Sequence, residues 1–422
     1  MPKNVKDPAD HVFVGRQPIY DARLRVIGYE LLYRSDSGNR ADARDNAATC
    51  QTIFNAFIEI GLNRLVGDKP AFINLTRELL SEMHGFSPPT GRVVLEVLED
   101  VTVDESLVQA VRDLKGRGYR IALDDFVYQP KHKSLLRLAD IVKIEVLGKP
   151  RSEIREEVMF LRRRVPKLLA EKVETHSDFQ YCKNLGFDYF QGFFFCKPKV
   201  LKARAVPADK LALLQLLSKL RDPNVRLEEL EQIIMRDVAL SYKLLRCINS
   251  AFYGLPKKID SLRQAILFLG MRSILGWVSL VALSGITGKP SELFVTAMVR
   301  AKMCELLARD TRKKQPEVYF TTGLLSVLDA LMDMPMENLL ESLPLSDEVN
   351  KVLLGRDEDS DLADLLRCVL AYERGDWDRV AESGIEGKTV QHAYVEAVDW
   401  AAQTSDALRS AGRRPRAKRQ VA

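Results

Sequence analysis

The chain has 422 residues, 46% of them hydrophobic and 29% charged, with a formal net charge of +5. That length exceeds one ordinary core, so at least two domains of a soluble globular protein are expected. Five of the positive charges, Arg413, Arg414, Arg416, Lys418 and Arg419, sit at the C-terminus, which leaves a near-neutral body and argues against an extended nucleic-acid face.

The six cysteines, at 50, 182, 196, 247, 304 and 368, are widely spaced and form no Cys-x-x-Cys. They fit buried thiols in a reducing compartment better than a disulfide framework or a zinc site. The N-terminal residues hold no apolar signal core. The longest uncharged stretch, 273–288, is too short and too broken by Gly and Ser to span a bilayer. A cytoplasmic protein without membrane contact is expected.

From Phe13 to Pro198, short runs of β-formers alternate with amphipathic stretches. Arg92–Val97 is a predicted strand. Glu105–Gly116 follows with Leu107, Val108, Val111 and Leu114 at helical spacing, and Arg120–Phe126 is the next strand. Strand, helix, strand, repeated, predicts a parallel α/β architecture. Most of these strands end on an oxygen-bearing or charged side chain: Glu30, Asn74, Glu96, Asp124-Asp125, Lys143, Glu171 and Gln191. Carboxylates and amides gathered at strand ends are what a hard divalent cation requires, and in a parallel barrel the working residues sit at the C-terminal strand ends. Phe193, Phe194 and Phe195 are expected to pack in the barrel. After Pro198 the texture becomes helical, with predicted helices at 211–220, 227–236, 239–249, 261–269 and 296–309. The expected division is a barrel domain over 1–200, a helical domain over 205–400, and a basic, disordered tail over 401–422. Whether 345–400 forms a separate unit is left open.

The stretches Gly15-Arg16-Gln17-Pro18-Ile19-Tyr20-Asp21 and Gly28-Tyr29-Glu30-Leu31-Leu32-Tyr33-Arg34 resemble the opening of an EAL domain, the cyclic di-GMP phosphodiesterase family of bacterial signalling. The resemblance continues in order through Asn74, Glu96, Glu99, Asp124-Asp125-Phe126, Lys143, Glu171, Glu174 and Gln191-Gly192. It implies a TIM-like barrel that binds cyclic di-GMP with Mg²⁺ or Mn²⁺. It also implies roles: Glu30, Asn74, Glu96 and Asp124 as metal ligands, with Asp125 helping to hold a second ion. Lys143 would balance charge, Glu171 would orient or deprotonate a water, and Gln191 would fix one at the metal. Arg34 suits a phosphate oxygen or guanine edge, and Gln17 and Pro18 would line the nucleotide pocket. Glu99 and Glu174 are equally readable as struts.

The chain departs from the family pattern in places. The signature triplet is Glu30-Leu31-Leu32 rather than Glu-Ala-Leu. Val127-Tyr128-Gln129 stands where active members carry Gly-Thr-Gly, and glycines reach backbone angles that these residues resist. Glu145 replaces the usual aspartate of Lys-x-Asp, and Lys172 replaces a glycine.

The second half resembles an HDOD domain, a relative of the HD metal-dependent phosphohydrolases. The resemblance rests on Ile233 through Gly254, with Asn249-Ser250, and on Lys258 through Leu269-Gly270. Gly323-Leu324-Leu325 is followed by Ser326-Val327 where an active relative would show His-Asp. With one histidine, His392, beyond residue 177, the ligand count excludes metal catalysis there. An output or scaffold role toward a protein partner remains, and a homodimer is left open. Three functions stay open for the whole: hydrolysis of cyclic di-GMP, its reception without useful turnover, and a ligand-free interaction platform.

Overall fold

Asp21 closes the first hairpin. Its Oδ1 accepts from the backbone N–H of Arg23 (2.8 Å) and Arg25 (3.0 Å), and its Oδ2 accepts from Arg25 Nε (2.7 Å). Leu24 takes a left-handed φ of 59° to complete the reversal. So tight a turn forces β1 (Val12–Asp21) to run antiparallel to β2 (Val26–Ser35). The expected parallel α/β barrel is met by the later strands and differs at β1 alone. In the computed structural model, β3 (Ala71–Leu75), β4 (Val93–Val97), β5 (Arg120–Leu123), β6 (Ile141–Glu145), β7 (Lys167–Glu171) and β8 (Tyr189–Gln191) follow in parallel. They close the barrel in sequence order, with β8 pairing back to β1 antiparallel. The structure describes residues 12–35, 61–75, 89–98, 101, 103–124, 132–197, 217, 226, 229, 234, 244–245, 248–249, 259, 261–284, 286, 289–341, 343, 345–357 and 359–412.

Helices cover the barrel with the faces their patterns give. Glu105–Gly116 buries Leu107, Val111 and Leu114, and its N-cap Asp104 accepts from Leu107 N at 2.9 Å. Arg151–Leu161 buries Ile154, Val158 and Leu161. His176–Leu185 buries Phe179, which stacks on Phe194 with centroids 4.8 Å apart. Phe194 and Phe195 are therefore core, as expected, in a short 3-10 turn after β8.

The interior is layered. Ile19, Phe72, Val94, Ala122, Ile141 and Leu169 form one apolar plug, with Tyr189 packed against it. Gly28 belongs to the same level, because Phe72 fills the space a side chain would need: a Cβ there would lie 2.7 Å from Phe72 Cε2 and 3.0 Å from Pro70 O. Gly28→Ala is expected to cost about 1–3 kcal/mol through overpacking, read as a lower urea midpoint with unchanged slope.

The chain divides into two compact units. The first comprises Met1–Lys197 with Ala371–Gln391, the second Pro198–Leu370 with His392–Ala422. Within the expected helical stretch 205–400, where the sequence leaves the separateness of 345–400 open, residues 371–391 belong to the first unit: Tyr372 is fully buried there, and its hydroxyl donates to Val14 O at 3.1 Å. The second unit is helical by itself. Its described helices include Leu262–Leu269, Met271–Leu283, Ser291–Asp310 and Pro316–Leu325, around Trp400, whose ring meets Trp277 and Phe320 edge-on. The helix expected over 296–309 begins at Ser291, behind Pro290 at its N-cap. Those expected over 211–220, 227–236 and 239–249 fall largely outside the described residues. The tail expected from 401 is corrected too: the helix Gly387–Gly412 continues into it, burying Ala401, Thr404 and Ser405, and residues 413–422 lie outside the described residues. Cys182, Cys304 and Cys368 are buried free thiols, and burial pushes Cys182 and Cys304 up to about 12. Among the described residues, no helix is long and apolar enough to cross a membrane.

Candidate metal and ligand site

Side chains of period two put every second strand residue on one face. Counting two residues from the apolar plug toward the C-terminal mouth therefore gives a second inward layer: Glu30 above Gly28, Asn74 above Phe72, Glu96 above Val94, Asp124 above Ala122, Lys143 above Ile141, Glu171 above Leu169 and Gln191 above Tyr189. On the reversed β1 the count runs backward from Ile19 and lands on Gln17, the cross-strand partner of Glu30. Eight strands thus contribute eight polar side chains at one level.

Lys143 stands at its centre, with no exposed surface. Its Nζ lies 2.7 Å from Glu171 Oε1, 2.8 Å from Asp124 Oδ1, 3.1 Å from Glu96 Oε1 and 3.4 Å from Glu30 Oε2. Burial alone would lower the lysine, but Glu30, Glu96, Glu171 and Asp124 outweigh it and hold the ammonium protonated well above its usual range. Burial raises Glu96 and Glu171 well above the carboxylate range despite Lys143, and the neighbouring carboxylates raise them further. One ammonium does not neutralise four carboxylates. Gln191 ties two walls together, its Nε2 donating to Gln17 Oε1 at 2.7 Å and to Glu30 Oε2 at 2.5 Å.

The donor set fits a divalent cation. Glu30, Glu96 and Asp124 each offer an oxygen within 4.8 Å of the others'. Glu96 is completely buried; among the described residues its Oε1 meets only the Lys143 ammonium, its Oε2 has no donor, and Gln191 Oε1 is likewise buried without a donor. Buried oxygens left without donors are costly unless a cation takes them up.

Most of the residues read from sequence are brought together here, with four exceptions. Asp125 and Glu99 lie outside the described residues, as does the side chain of Arg34, whose backbone pairs with Phe13. Glu174 is set apart and bound to Lys197 Nζ at 2.8 Å, a strut rather than a member of the ring. Glu30 is not at a strand end. β2 runs on to Ser35, but β3 accompanies it only over Tyr29–Leu31, so the barrel's rim is reached in mid-strand. What looked like two independent departures in the sequence is one device: Lys172 Nζ binds Glu145 Oε2 at 2.8 Å, across the register pair Glu145–Glu171. Lys172 carries a left-handed φ of 52°, the conformation a glycine there would adopt freely.

A closed barrel with this polar layer, followed by a helical unit, is the architecture of an EAL domain joined to an HDOD domain. The EAL domain family matches residues 47–198, and the HDOD domain family matches residues 206–341. The chain is 34% identical over 408 residues to the uncharacterized protein YuxH of Bacillus subtilis, covering 94% of this chain and 99% of that one. It is 35% identical over 417 residues to the cyclic di-GMP phosphodiesterase CdgJ of Vibrio cholerae, covering 95% of each. An EAL domain protein from Listeria monocytogenes of known crystal structure is 20% identical, with a TM-score of 0.34, over 44% of this chain and 87% of that one. The chain belongs to the family of EAL–HDOD proteins.

Proposed function

We propose that the polar layer is a divalent-metal site for cyclic di-GMP, and that the barrel binds this dinucleotide and hydrolyses it slowly to the linear form. The observation that supports this most is the ring of carboxylates about Lys143, with Glu96 Oε1 met only by that ammonium and Oε2 without a donor among the described residues. A relative 35% identical over nearly the whole chain is named a cyclic di-GMP phosphodiesterase.

Glu30, Asn74, Glu96 and Asp124, helped by Asp125, would hold Mg²⁺ or Mn²⁺. A cation held there supplies a Lewis acid and neutralises charge developing on a phosphodiester. Glu171, held above its usual range by burial and fixed by Lys143 at 2.7 Å, accepts the proton of the attacking water. Lys143 offsets the negative charge of the phosphoryl group as the bond to the 3′-oxygen breaks, and that oxygen takes a proton from solvent. Gln191 orients Gln17, and Gln17, Pro18 and Arg34 on the first hairpin bind the nucleotide. The helical unit serves as a non-catalytic output domain for a protein partner. Where an active relative would place His-Asp, Ser326 accepts from Arg300 Nη1 at 3.1 Å and donates to Gly323 O at 2.8 Å. Two helices meet closely there, for a Cβ on Gly323 would lie 2.6 Å from Arg300 O.

A second reading, reception without turnover, is favoured by Val127-Tyr128-Gln129 in place of Gly-Thr-Gly. Weak hold on a second ion removes a transition-state contact while ground-state contacts persist, which lowers turnover more than affinity. The expected result is measurable cyclic di-GMP binding with slow linear-product formation, faster in Mn²⁺ than in Mg²⁺. Replacing 127–129 by Gly-Thr-Gly is expected to raise the rate more than it changes binding. Binding with no product, even after that replacement, would leave the receptor reading; brisk Mg²⁺-dependent turnover by the unmodified protein would contradict slow hydrolysis.

A further inference from the structure

The first hairpin is longer than the barrel that contains it. β1 and β2 pair from Val12–Ser35 down to Tyr20–Val26, yet β8 joins β1 only over Ile19–Asp21 and β3 joins β2 only over Tyr29–Leu31. Among the described residues, Val12–Pro18 and Leu32–Ser35 therefore pair only with each other and stand above the mouth as a two-stranded flap. An isolated two-stranded ribbon is marginal in water. This flap carries Gln17, Pro18 and Arg34, and Glu30 lies at its base.

Besides the bond from Arg16 Nη1 to Leu65 O, what steadies it comes from the far end of the sequence. The register pair Gly15–Leu32 lies one inward-facing step above Gln17–Glu30. On that pair sits the turn between the helices Asp361–Arg374 and Trp377–Glu382. Trp377 Cη2 is 3.4 Å from where a Cβ of Gly15 would be, and Leu32 Cδ1 is 3.1 Å from where a Cβ of Gly375 would be. Tyr372, edge-on to Trp377 with centroids 5.0 Å apart, donates its hydroxyl to Val14 O, on the flap's length that β8 leaves unpaired. Arg374 lies over the Phe193 ring just beyond β8, centroid distance 5.6 Å. The turn thus spans from the flap to the eighth strand along the rim.

We infer that Tyr372 and Trp377 are positioning residues for the nucleotide site, acting by holding the β1–β2 flap over the polar layer. This rests on the cyclic di-GMP reading for its ligand, but the flap itself can be tested without one. In the full-length protein, Trp377→Ala is expected to speed amide hydrogen exchange of 12–20 and 29–35 by about tenfold or more, with exchange in β4–β7 unchanged. It should weaken cyclic di-GMP binding by about tenfold or more while Mn²⁺ affinity stays within about twofold. Trp377→Phe should restore most of both. Tyr372→Phe, which keeps the ring and removes only the bond to Val14 O, should move both readouts in the same direction and serves if Trp377→Ala does not fold. Unchanged flap exchange in Trp377→Ala, or in Tyr372→Phe where the former is unfolded, overturns the inference. So does equal loosening of β4–β7, which would make the turn a general brace. Faster flap exchange in a protein whose wild type binds no cyclic di-GMP would keep the positioning role and sink the ligand assignment instead.

Discussion

Glu96→Gln is expected to lower Mn²⁺ affinity by about 100-fold or more and leave the barrel folded. Glu96 is the one wholly buried carboxylate of the ring, and among the described residues neither oxygen accepts a hydrogen bond, Oε1 meeting only the Lys143 ammonium. The amide keeps the shape but removes the charge a hard cation requires, and its NH₂ group turns a donor toward the ion. Folding should survive, because the substitution removes a carboxylate whose charge is already disfavoured by burial and by its neighbours. Isothermal titration with Mn²⁺ and a circular-dichroism melt on the same sample check both halves. Unchanged Mn²⁺ affinity would remove Glu96 from the ligand set.

Lys143→Met is expected to be the most damaging single change to the metal-free barrel. It leaves four carboxylates around an uncharged side chain, and breaking a buried ion pair from one side typically costs about 3–5 kcal/mol. The loss should depend on conditions. Burial and crowding hold Glu96 and Glu171 above their usual range, so acidification, which protonates the carboxylates, should recover stability in the variant. Saturating Mn²⁺ should recover it as well, by mass action on the folded state. Denaturant melts with and without Mn²⁺ decide the matter: a variant as stable as wild type in EDTA would show that Lys143 is not the electrostatic keystone of this layer. Turnover should not return with the metal, because the charge at the phosphoryl group is still missing.

The polar layer was largely legible in the sequence because strand periodicity is local. Two residues beyond an apolar strand position is the same inward face, so Val94-Leu95-Glu96 and Ile141-Val142-Lys143 announce their members without tertiary information. The hydrogen bond between Gln17 and Gln191 was not readable, since it needs the closure of β8 onto β1. The reversal of β1 was present in Asp21-Ala22-Arg23-Leu24-Arg25, a turn too short for a parallel crossover, yet the regular strand–helix alternation downstream outweighed it. The overhang of the hairpin was not readable, because it depends on where β3 and β8 stop pairing rather than on β1 or β2. The seating of Tyr372 on Val14 spans 358 residues, and nothing local in Ala371-Tyr372-Glu373-Arg374 distinguishes a side chain that returns to the barrel from one buried among helices. The Lys172–Glu145 pair was visible only as two oddities, and the register of β6 on β7 made them one.

A metal-dependent nucleotide site in the polar layer requires that the cation contribute to holding cyclic di-GMP. The most direct test is the affinity of the full-length protein for cyclic di-GMP, measured by calorimetry with saturating Mn²⁺ and again after exhaustive EDTA treatment. Saturable binding that is about tenfold or more tighter with the metal is the expected result. Equal affinity in the two conditions, or no binding in either, would contradict it.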